Sequence, residues 1–272
     1  MKKIKELIIL YPSFEKGGAT SNLINFINIC SKRNIKVYLI SNIKKKDKKN
    51  FLKRNVEFLN INNNLRIWSL NRLITSIKSL FLLSSLFDKV DVNNSMVISF
   101  QSHILPIIFS KILGRKIIIR NSEDVIEATK YADYKVSALL VFLLKSFFYN
   151  FSDGIISNSN KAKKSLDTII YKDKTKLIYN PYLKNIYPKN NNTRKNIILS
   201  VGRLCKQKNQ KITIEAFKNF LKKFPNYKLV LIGHGNDEAK LKRLCVELKI
   251  TKKVVFKGWV SNPQKYYLEA KI

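Results

Sequence analysis

The feature that most constrains the fold is a regular alternation of short apolar runs with longer amphipathic runs along the whole chain. This alternation is typical of parallel β-strands joined by crossover α-helices, and the sequence therefore predicts an α/β protein. The predicted strands are Glu6–Leu10, Lys36–Ile40, Val56–Ile61, Met96–Phe100, Lys116–Arg120, Gly154–Asn158, Lys176–Tyr179, Asn196–Val201, Lys228–Ile232 and Val254–Phe256. The predicted helices include Ala19–Arg33, Ile104–Leu113, Asn209–Phe224, Asp237–Leu248 and the start of another at Pro263–Ala270.

The pattern stops once and then restarts, which predicts two Rossmann-like domains in series. After Asn180 and Pro181 the chain becomes polar and rich in turn-forming residues, as expected of a linker. We predict an N-terminal domain at residues 1–183, a linker at 184–195 and a C-terminal domain at 196–272. The second domain offers only three strands, where an independent domain of this type usually has five or six, so we expect it to be incomplete.

Composition favours anionic partners but does not identify one. The 272 residues are 45% hydrophobic and 26% charged, enough for a sizeable core. With 52 basic and 18 acidic residues, the net charge of +34 favours phosphate groups and anionic lipids. Lysine is also abundant in loops such as Lys44–Lys49, so part of this excess is a bias of composition. Three scattered cysteines without a CxxC pair, and only two histidines, argue against a metal site and for a reducing, cytosolic environment.

Two segments bear on membrane contact. The apolar run Leu7–Leu10 is too short for a signal-peptide core, and Ser137–Phe151 approaches the length of a membrane span before Lys145 interrupts it. The segment Leu65–Val90 is apolar and basic. It is interpreted either as a helix in the headgroup region of an anionic bilayer or as a helix that covers the sheet. The expected location is the cytoplasm, with peripheral attachment at the inner face of the membrane as the alternative.

A basic loop follows the first strand of the second domain. In SVGRLCKQKNQ, Gly202 ends the strand and Arg203, Lys206 and Lys208 come before the next helix. Ligands of open parallel sheets bind at the carboxyl ends of the strands, where helix N-termini attract anions. Arg203 and Lys208 are therefore candidates for gripping one pyrophosphate group. The alternative is a solvated, lysine-rich turn.

The ordered motifs VGRLCKQKN, AFKNFLKKFPNYKLVLIGHGND and VVFKGWVSNPQKYYLEAKI resemble the donor-binding domain of the family 4 glycosyltransferases. The first half, with YPSFEKGGATSNLINF and SDGIISNSNKAKKSL, resembles the acceptor domain of the same GT-B fold. The resemblance implies transfer of a hexose or N-acetylhexosamine from a UDP- or GDP-sugar to a glycan or lipid-linked acceptor, in assembly of surface polysaccharide or glycan. It implies retention at the anomeric carbon, a cleft between two Rossmann domains, and no metal or cofactor.

The same resemblance assigns roles to particular residues. Arg203 and Lys208 match the diphosphate-binding pair, and four glycines are expected to line the cleft: Gly17, Gly18, Gly202 and Gly233. Arg120 and Glu123 stand where many members have a histidine that touches the donor sugar, so they are candidate sugar or acceptor contacts. His103 lies at the same predicted sheet edge and is a candidate catalytic residue, against the alternative of a surface histidine. For Gly233 and Gly235 a simple turn competes with a place in the cleft, and for His234 a surface residue competes with a catalytic one.

The family's motif of two spaced glutamates belongs after the segment YYLEAKI, and Glu269 is not one of that pair. We therefore expect a truncated glycosyltransferase, and the competing hypothesis is a non-catalytic remnant that binds anions or a membrane surface. No Ser-His-Asp order and no GxGxxG fingerprint supports a hydrolase or a dehydrogenase. Nucleic acid is not expected as a partner, because no recognition motif accompanies the charge.

Overall fold

A computed structural model describes residues 4–14, 17–51, 55–61, 68–132, 134–180, 194–260 and 263–272. Within them the chain forms two compact units, residues 1–184 and 185–272. The predicted linker lies mostly outside the described residues. Both units are built of parallel strands with helices between them, so the predicted α/β class is confirmed.

The N-terminal unit contains seven strands and six α-helices in its described residues. In chain order they are β1 (Glu6–Leu10), α1 (Gly18–Lys32), β2 (Lys36–Ser41), β3 (Val56–Asn60), α2 (Trp68–Phe87), β4 (Ser95–Ser99), α3 (Ile104–Ile112), β5 (Ile117–Asn121), α4 (Val125–Lys130), α5 (Lys135–Phe148), β6 (Gly154–Ser157), α6 (Asn160–Asp167) and β7 (Thr175–Leu177).

The seven strands form one parallel sheet in the order β3-β2-β1-β4-β5-β6-β7. From β1 the chain adds strands first on one side and then, from β4 onwards, on the other. The boundary between β1 and β4 is therefore the switch point at which doubly wound sheets bind ligands. The central strands are apolar on both sides: in β1, Leu7 and Ile9 face one core cluster while Ile8 and Leu10 face the other. Such continuous burial is what parallel strands covered by helices on both faces require.

The helix α2 covers the sheet over its described part. Leu83, Leu86 and Phe87 are buried in the core cluster that contains Leu10 and Ile40, while Phe81 is 73% exposed. The side chains at 68–73, which include Trp68 and Arg72, and residues 62–67 lie outside the described part. The part of α2 whose side chains are described thus matches the sheet-covering interpretation of the segment Leu65–Val90.

The C-terminal unit contains a second parallel sheet. Its elements are β8 (Ile197–Val201), α7 (Gln210–Phe220), β9 (Lys228–Ile232), α8 (Glu238–Glu247), β10 (Val254–Gly258) and α9 (Gln264–Glu269). The strand order is β10-β9-β8, and on the far side of β8 the backbone of Leu199 donates to the carbonyl of Ile272 at 2.8 Å. The order is that of a Rossmann half, and β8 is only partly buried.

Candidate functional site

The basic loop lies at the carboxyl end of β8, as the sequence predicts. The N–H of Gly202 still pairs with the carbonyl of Ile232 in β9 at 2.9 Å, and a short 3-10 turn at Lys206–Lys208 then leads into α7. Arg203, Lys206 and Lys208 are all exposed. The loop therefore presents three cations to solvent where the parallel sheet ends and α7 begins, and the positive end of the α7 dipole adds to their attraction for anions.

The side chains of Arg203 and Lys208 make different contacts within this loop. A Cβ on Gly202 would lie 3.9 and 4.0 Å from Cγ and Cδ of Lys208, so the lysine side chain runs across the open side of Gly202. Nη2 of Arg203 donates to Oε1 of Gln207 at 3.2 Å, within the same turn. The cleft-lining role of Gly202 and diphosphate binding by Arg203 and Lys208 stay predictions.

Gln210 packs against the basic loop and bonds to its backbone, a role that the sequence does not predict. This first residue of α7 is buried, and its Nε2 donates to the carbonyl of Arg203 at 2.9 Å. Its Oε1 has no partner among the described atoms. A glutamine that follows a run of polar and basic residues is normally expected in solvent, and only its position under the loop buries it. Gln210 thus holds the backbone of Arg203 in place.

The loop after β9 packs tightly against the basic loop. The N–H of Leu204 donates to the carbonyl of His234 at 3.0 Å, and a Cβ on Gly235 would lie 2.8 Å from the nitrogen of Leu204. On Gly233, a Cβ would overlap the carbonyl of Gly202. Backbone packing alone therefore requires both glycines, while their place in a ligand cleft stays a prediction.

His234 lies in the loop after β9 and contacts the first residue of α8. Its Nδ1 lies 3.2 Å from Oε2 of Glu238, whose other oxygen accepts from Lys242 at 2.7 Å. The Lys242 ammonium first, and His234 second, lower the pKa of Glu238. His234 thus has a structural explanation in a surface contact with Glu238.

At the sheet edge of the N-terminal unit, His103 sits between β4 and α5. Ser99 Oγ donates to the carbonyl of Gln101 and lies 2.9 Å from Nδ1 of His103. Because a hydroxyl has one proton, Nδ1–H then donates to Ser99 and Nε2 is left as the acceptor. The ring also meets Tyr149 edge-on at 5.8 Å. Burial first, and the charges of Lys145 and Arg120 next, lower the pKa of His103 to about 3. His103 is therefore a neutral imidazole at the carboxyl edge.

Arg120 is buried at the end of β5. Its Nη1 donates to Oγ of Ser122 at 2.7 Å, its Nη2 to Oδ1 of Asn180, and its guanidinium lies 5.3 Å from the ring centre of Phe100. These contacts tie β5 to the chain that leaves β7. Contact of Arg120 with a sugar stays a prediction.

Glu123 lies just beyond Arg120 and pairs with Lys145 of α5. Its backbone carbonyl accepts from Nδ2 of Asn121 at 2.6 Å. Burial first, and the Glu123 carboxylate second, raise the pKa of Tyr149, which therefore keeps its proton. Half-exposed and already paired, Glu123 is an accessible carboxylate whose contact with an acceptor stays a prediction.

Gly17 and Gly18 lie where α1 begins. Gly17 directly precedes the helix and Gly18 is its first residue. A Cβ on either glycine would meet no atom of the described residues within 4 Å, and Gly17 has an extended backbone that any residue can adopt. Packing within the described part of the chain therefore gives no reason for glycine at these two positions, and close approach of a ligand stays the prediction for them.

Within the described ranges, no group of three or more His, Cys, Asp and Glu side chains is arranged to hold a metal ion. Over the same residues, no helix has both the length and the apolar character needed to cross a bilayer.

Comparison with known proteins connects this geometry to a family. Residues 184–272, which contain the basic loop, match the family model of the glycosyl transferases group 1. An uncharacterized glycosyltransferase of Methanocaldococcus jannaschii is 31% identical over 140 residues, covering 47% of this chain and 34% of the relative. The Campylobacter jejuni N-acetylgalactosamine-N,N'-diacetylbacillosaminyl-diphospho-undecaprenol 4-alpha-N-acetylgalactosaminyltransferase is 31% identical over 165 residues, covering 58% of this chain and 44% of the relative. The matched part thus spans less than half the length of either relative.

The fold agrees with these matches. TarM of S. aureus, crystallised as a mutant with fondaparinux, alpha-GlcNAc-glycerol and UDP, superposes with a TM-score of 0.71 over 99% of this chain and 80% of that chain, at 12% identity. At that identity the likeness concerns the fold alone, which is of the GT-B type. The C-terminal unit therefore matches the glycosyl transferases group 1, and the fold of the chain is similar to that of GT-B glycosyltransferases.

Proposed function

We propose that this protein is a retaining, metal-independent glycosyltransferase that moves a hexose or N-acetylhexosamine from a UDP- or GDP-sugar to a glycan or lipid-linked acceptor. The observation that carries the proposal is the exposed pair Arg203 and Lys208 in one loop at the carboxyl end of β8, inside the segment that matches the family model. No metal or cofactor is needed in this scheme, because the fixed cations neutralise the diphosphate.

Transfer of a sugar from a nucleoside diphosphate requires that the leaving diphosphate be stabilised. The oxygen of the acceptor hydroxyl forms a bond to the anomeric carbon, and the bond from that carbon to the diphosphate oxygen breaks. The nucleoside diphosphate leaves with the electron pair and takes up the hydroxyl proton. Negative charge therefore grows on the diphosphate in the transition state, and cations fixed nearby lower the barrier. Charge-assisted hydrogen bonds from Arg203 and Lys208 would contribute about 1.5 to 3 kcal/mol each.

Two features support the acceptor side of the proposal. The name of the Campylobacter jejuni relative describes transfer of N-acetylgalactosamine to a sugar carried on diphospho-undecaprenol, which favours an N-acetylhexosamine donor and a lipid-linked acceptor here. In the N-terminal unit, His103 offers a neutral imidazole with Nε2 as an acceptor, and Glu123 offers a half-exposed carboxylate. We assign His103 to catalysis, and Glu123 and Arg120 to contacts with the sugar or the acceptor.

Binding and turnover of the purified chain test the proposal. Calorimetry with UDP and with GDP should show that one of them binds, and the matching nucleotide sugar should release that nucleotide in the presence of chelator. Binding without release, even with lipid-linked and glycan acceptors added, would favour a non-catalytic, anion-binding protein. Absence of binding to both nucleotides at millimolar concentration would overturn the proposed function.

A further inference from the structure

An apolar stripe runs along the outer face of α5. None of this helix's residues is buried. Five side chains at helical spacing are each more than half exposed: Val136 at 85%, Leu139 at 53%, Leu140 at 57%, Leu143 at 56% and Phe147 at 59%. Intervals of three and four residues place them on one face, and we call these five residues the α5 stripe. A surface helix normally turns such a face towards the core, so the α5 stripe indicates a partner.

The opposite face of α5 is fixed to the unit, so the direction of the stripe is determined. The helix packs against α3 and α4, and Phe142 contacts the core cluster around Tyr149. Lys145, on this inner side, pairs with Glu123 at the sheet edge. A rotation of α5 that hid the stripe would break this ion pair and expose Phe142.

Aromatic and basic side chains frame the stripe. Tyr131 and Tyr134 are 70% and 81% exposed near its N-terminal end, and Phe151 is half-exposed beyond its other end. Lys130 and Lys135 are exposed beside the tyrosines, with Nζ of Lys130 5.4 Å from the Tyr131 ring centre. No Asp or Glu occurs in Lys135–Phe148. Apolar residues bordered by tyrosine and lysine are what the interfacial region of a bilayer accommodates.

We propose that the α5 stripe docks on an anionic membrane surface, with α5 lying in the plane of the headgroups. Fourteen residues rise about 21 Å, less than the roughly 30 Å of hydrocarbon that a span must cross, so a helix of this length lies on the bilayer. Charge favours a bilayer over a second copy of the chain. Two chains of +34 repel each other, and α5 has no carboxylate to meet the other copy's lysines, whereas anionic headgroups neutralise Lys130 and Lys135.

This surface would bring the bilayer close to the edge that holds His103 and Glu123. Lys145 joins α5 to Glu123, so only the thickness of one helix, about 10 Å, separates the stripe from that edge. If the proposed function holds, a lipid-linked acceptor would reach the sheet edge from the docked membrane. The docking itself does not rest on the proposed function.

Vesicle flotation with the full chain tests the docking. The probes are phosphatidylcholine vesicles with and without phosphatidylglycerol, in the absence of any nucleotide sugar. The stripe variant is Leu139→Glu with Leu143→Glu. Its control is Ile212→Glu with Val246→Glu, which makes the same charge change at positions 60% and 64% exposed in α7 and α8. Circular dichroism establishes that each variant is folded.

We expect the wild-type chain and the control to bind the anionic vesicles equally and the stripe variant to bind at least about tenfold more weakly, because two buried leucines are lost. Lys130→Gln and Lys135→Gln should each weaken binding about fivefold. An equal loss of vesicle binding in the stripe variant and the control would overturn the proposal. It would also be overturned if the wild type did not bind vesicles but sedimented as a dimer, and the stripe variant sedimented as a monomer. Because no sugar transfer is measured, failure of the proposed function leaves this result interpretable.

Discussion

The carbonyl carbon of Gly202 lies 2.8 Å from the position that a Cβ would occupy on Gly233, and the carbonyl oxygen lies closer still. Gly233 also has a φ of +139°, in a region that side chains rarely adopt. The end of β9 therefore presses directly on the backbone that starts the basic loop. The position of Arg203 depends on this contact between two backbones.

Gly233→Ala should destabilise the C-terminal unit. The methyl group would meet backbone that cannot move aside without displacing β8, and the combined steric and conformational cost is about 2 to 5 kcal/mol. Urea unfolding should show the loss. Hydrogen exchange of peptides from β8 and β9 should locate it in the C-terminal unit.

Gly18→Ala is the matched control for this substitution. A Cβ at Gly18 meets no atom of the described residues within 4 Å, and alanine favours the start of α1, so stability should rise by up to about 1 kcal/mol. Equal effects of the two substitutions would contradict the packing described for Gly233. A fall in donor or acceptor affinity in Gly18→Ala, without loss of stability, would support close approach of a ligand there.

Much of this fold is predictable from the sequence, because buried parallel strands are continuous apolar runs with polar residues at both ends. Glu6–Leu10 and Lys228–Ile232 agree in both bounds, and six of the other eight predicted strands differ from the structure by one residue at one or both ends. The helix predicted to reach Phe224 ends at Phe220, since the chain there forms a turn in which those two rings stack at 4.6 Å. Helix ends are weakly encoded when both neighbours are apolar.

The site is predictable only in part, since its contacts join residues far apart in the chain. A basic loop at the end of β8 follows from the local pattern. The burial of Gln210, the pairing of Arg120 with Asn180 and the ion pair of Glu123 with Lys145 do not, because each depends on which elements become neighbours. The periodicity of α5 likewise predicts an apolar face but not that the face points outward.

Removing either proposed diphosphate ligand should weaken nucleotide binding selectively. Arg203→Gln or Lys208→Gln should lower the affinity for the nucleotide that binds, UDP or GDP, by about 10- to 150-fold, the equivalent of one charge-assisted hydrogen bond. Lys206→Gln removes the same charge from an exposed position in the same loop, so the affinity for the nucleotide should fall by less than about fivefold. Calorimetry of the three variants provides the comparison. Equal, small losses in all three would show a diffuse electrostatic effect and contradict a specific pair.

His103 should make stability depend on pH below neutrality. Its folded-state pKa of about 3 lies below the ordinary value of 6.5, so between these two the unfolded chain binds a proton that the folded chain does not. The stabilising contribution is therefore complete above pH 6.5. It is lost as the pH falls towards 3, by at most about 1.4 kcal/mol per pH unit.

His103→Asn removes this titration and keeps a side chain that can bond to Ser99. Urea unfolding of wild type and variant is measured between pH 4 and pH 8, because this interval includes the ordinary histidine pKa of about 6.5. The two proteins are compared by the slope of unfolding free energy against pH. The stability of the wild type should fall more steeply on acidification than that of the variant. Parallel pH profiles for the two proteins would mean that His103 titrates normally in the folded state.

Arg115 illustrates a basic residue whose charge serves the fold. It is 8% exposed, its Nη1 donates to the carbonyl of Val90 at 2.9 Å and its Nη2 to that of Phe87, and its guanidinium lies 4.7 Å from the ring centre of Phe87. These carbonyls follow or end α2, where a cation also meets the negative end of the helix dipole.

Arg115→Met should therefore lower the free energy of unfolding by about 2 to 4 kcal/mol, because two buried carbonyls lose their donors. Lys116→Met removes the same charge from the adjacent exposed position and should change stability by less than about 0.5 kcal/mol. Arg115→Lys should fall between them, since an ammonium lacks the planar fork that reaches both carbonyls. Urea unfolding distinguishes these cases: the predicted order identifies Arg115 as a cap of α2, whereas equal effects at 115 and 116 would assign it only to the general excess of charge.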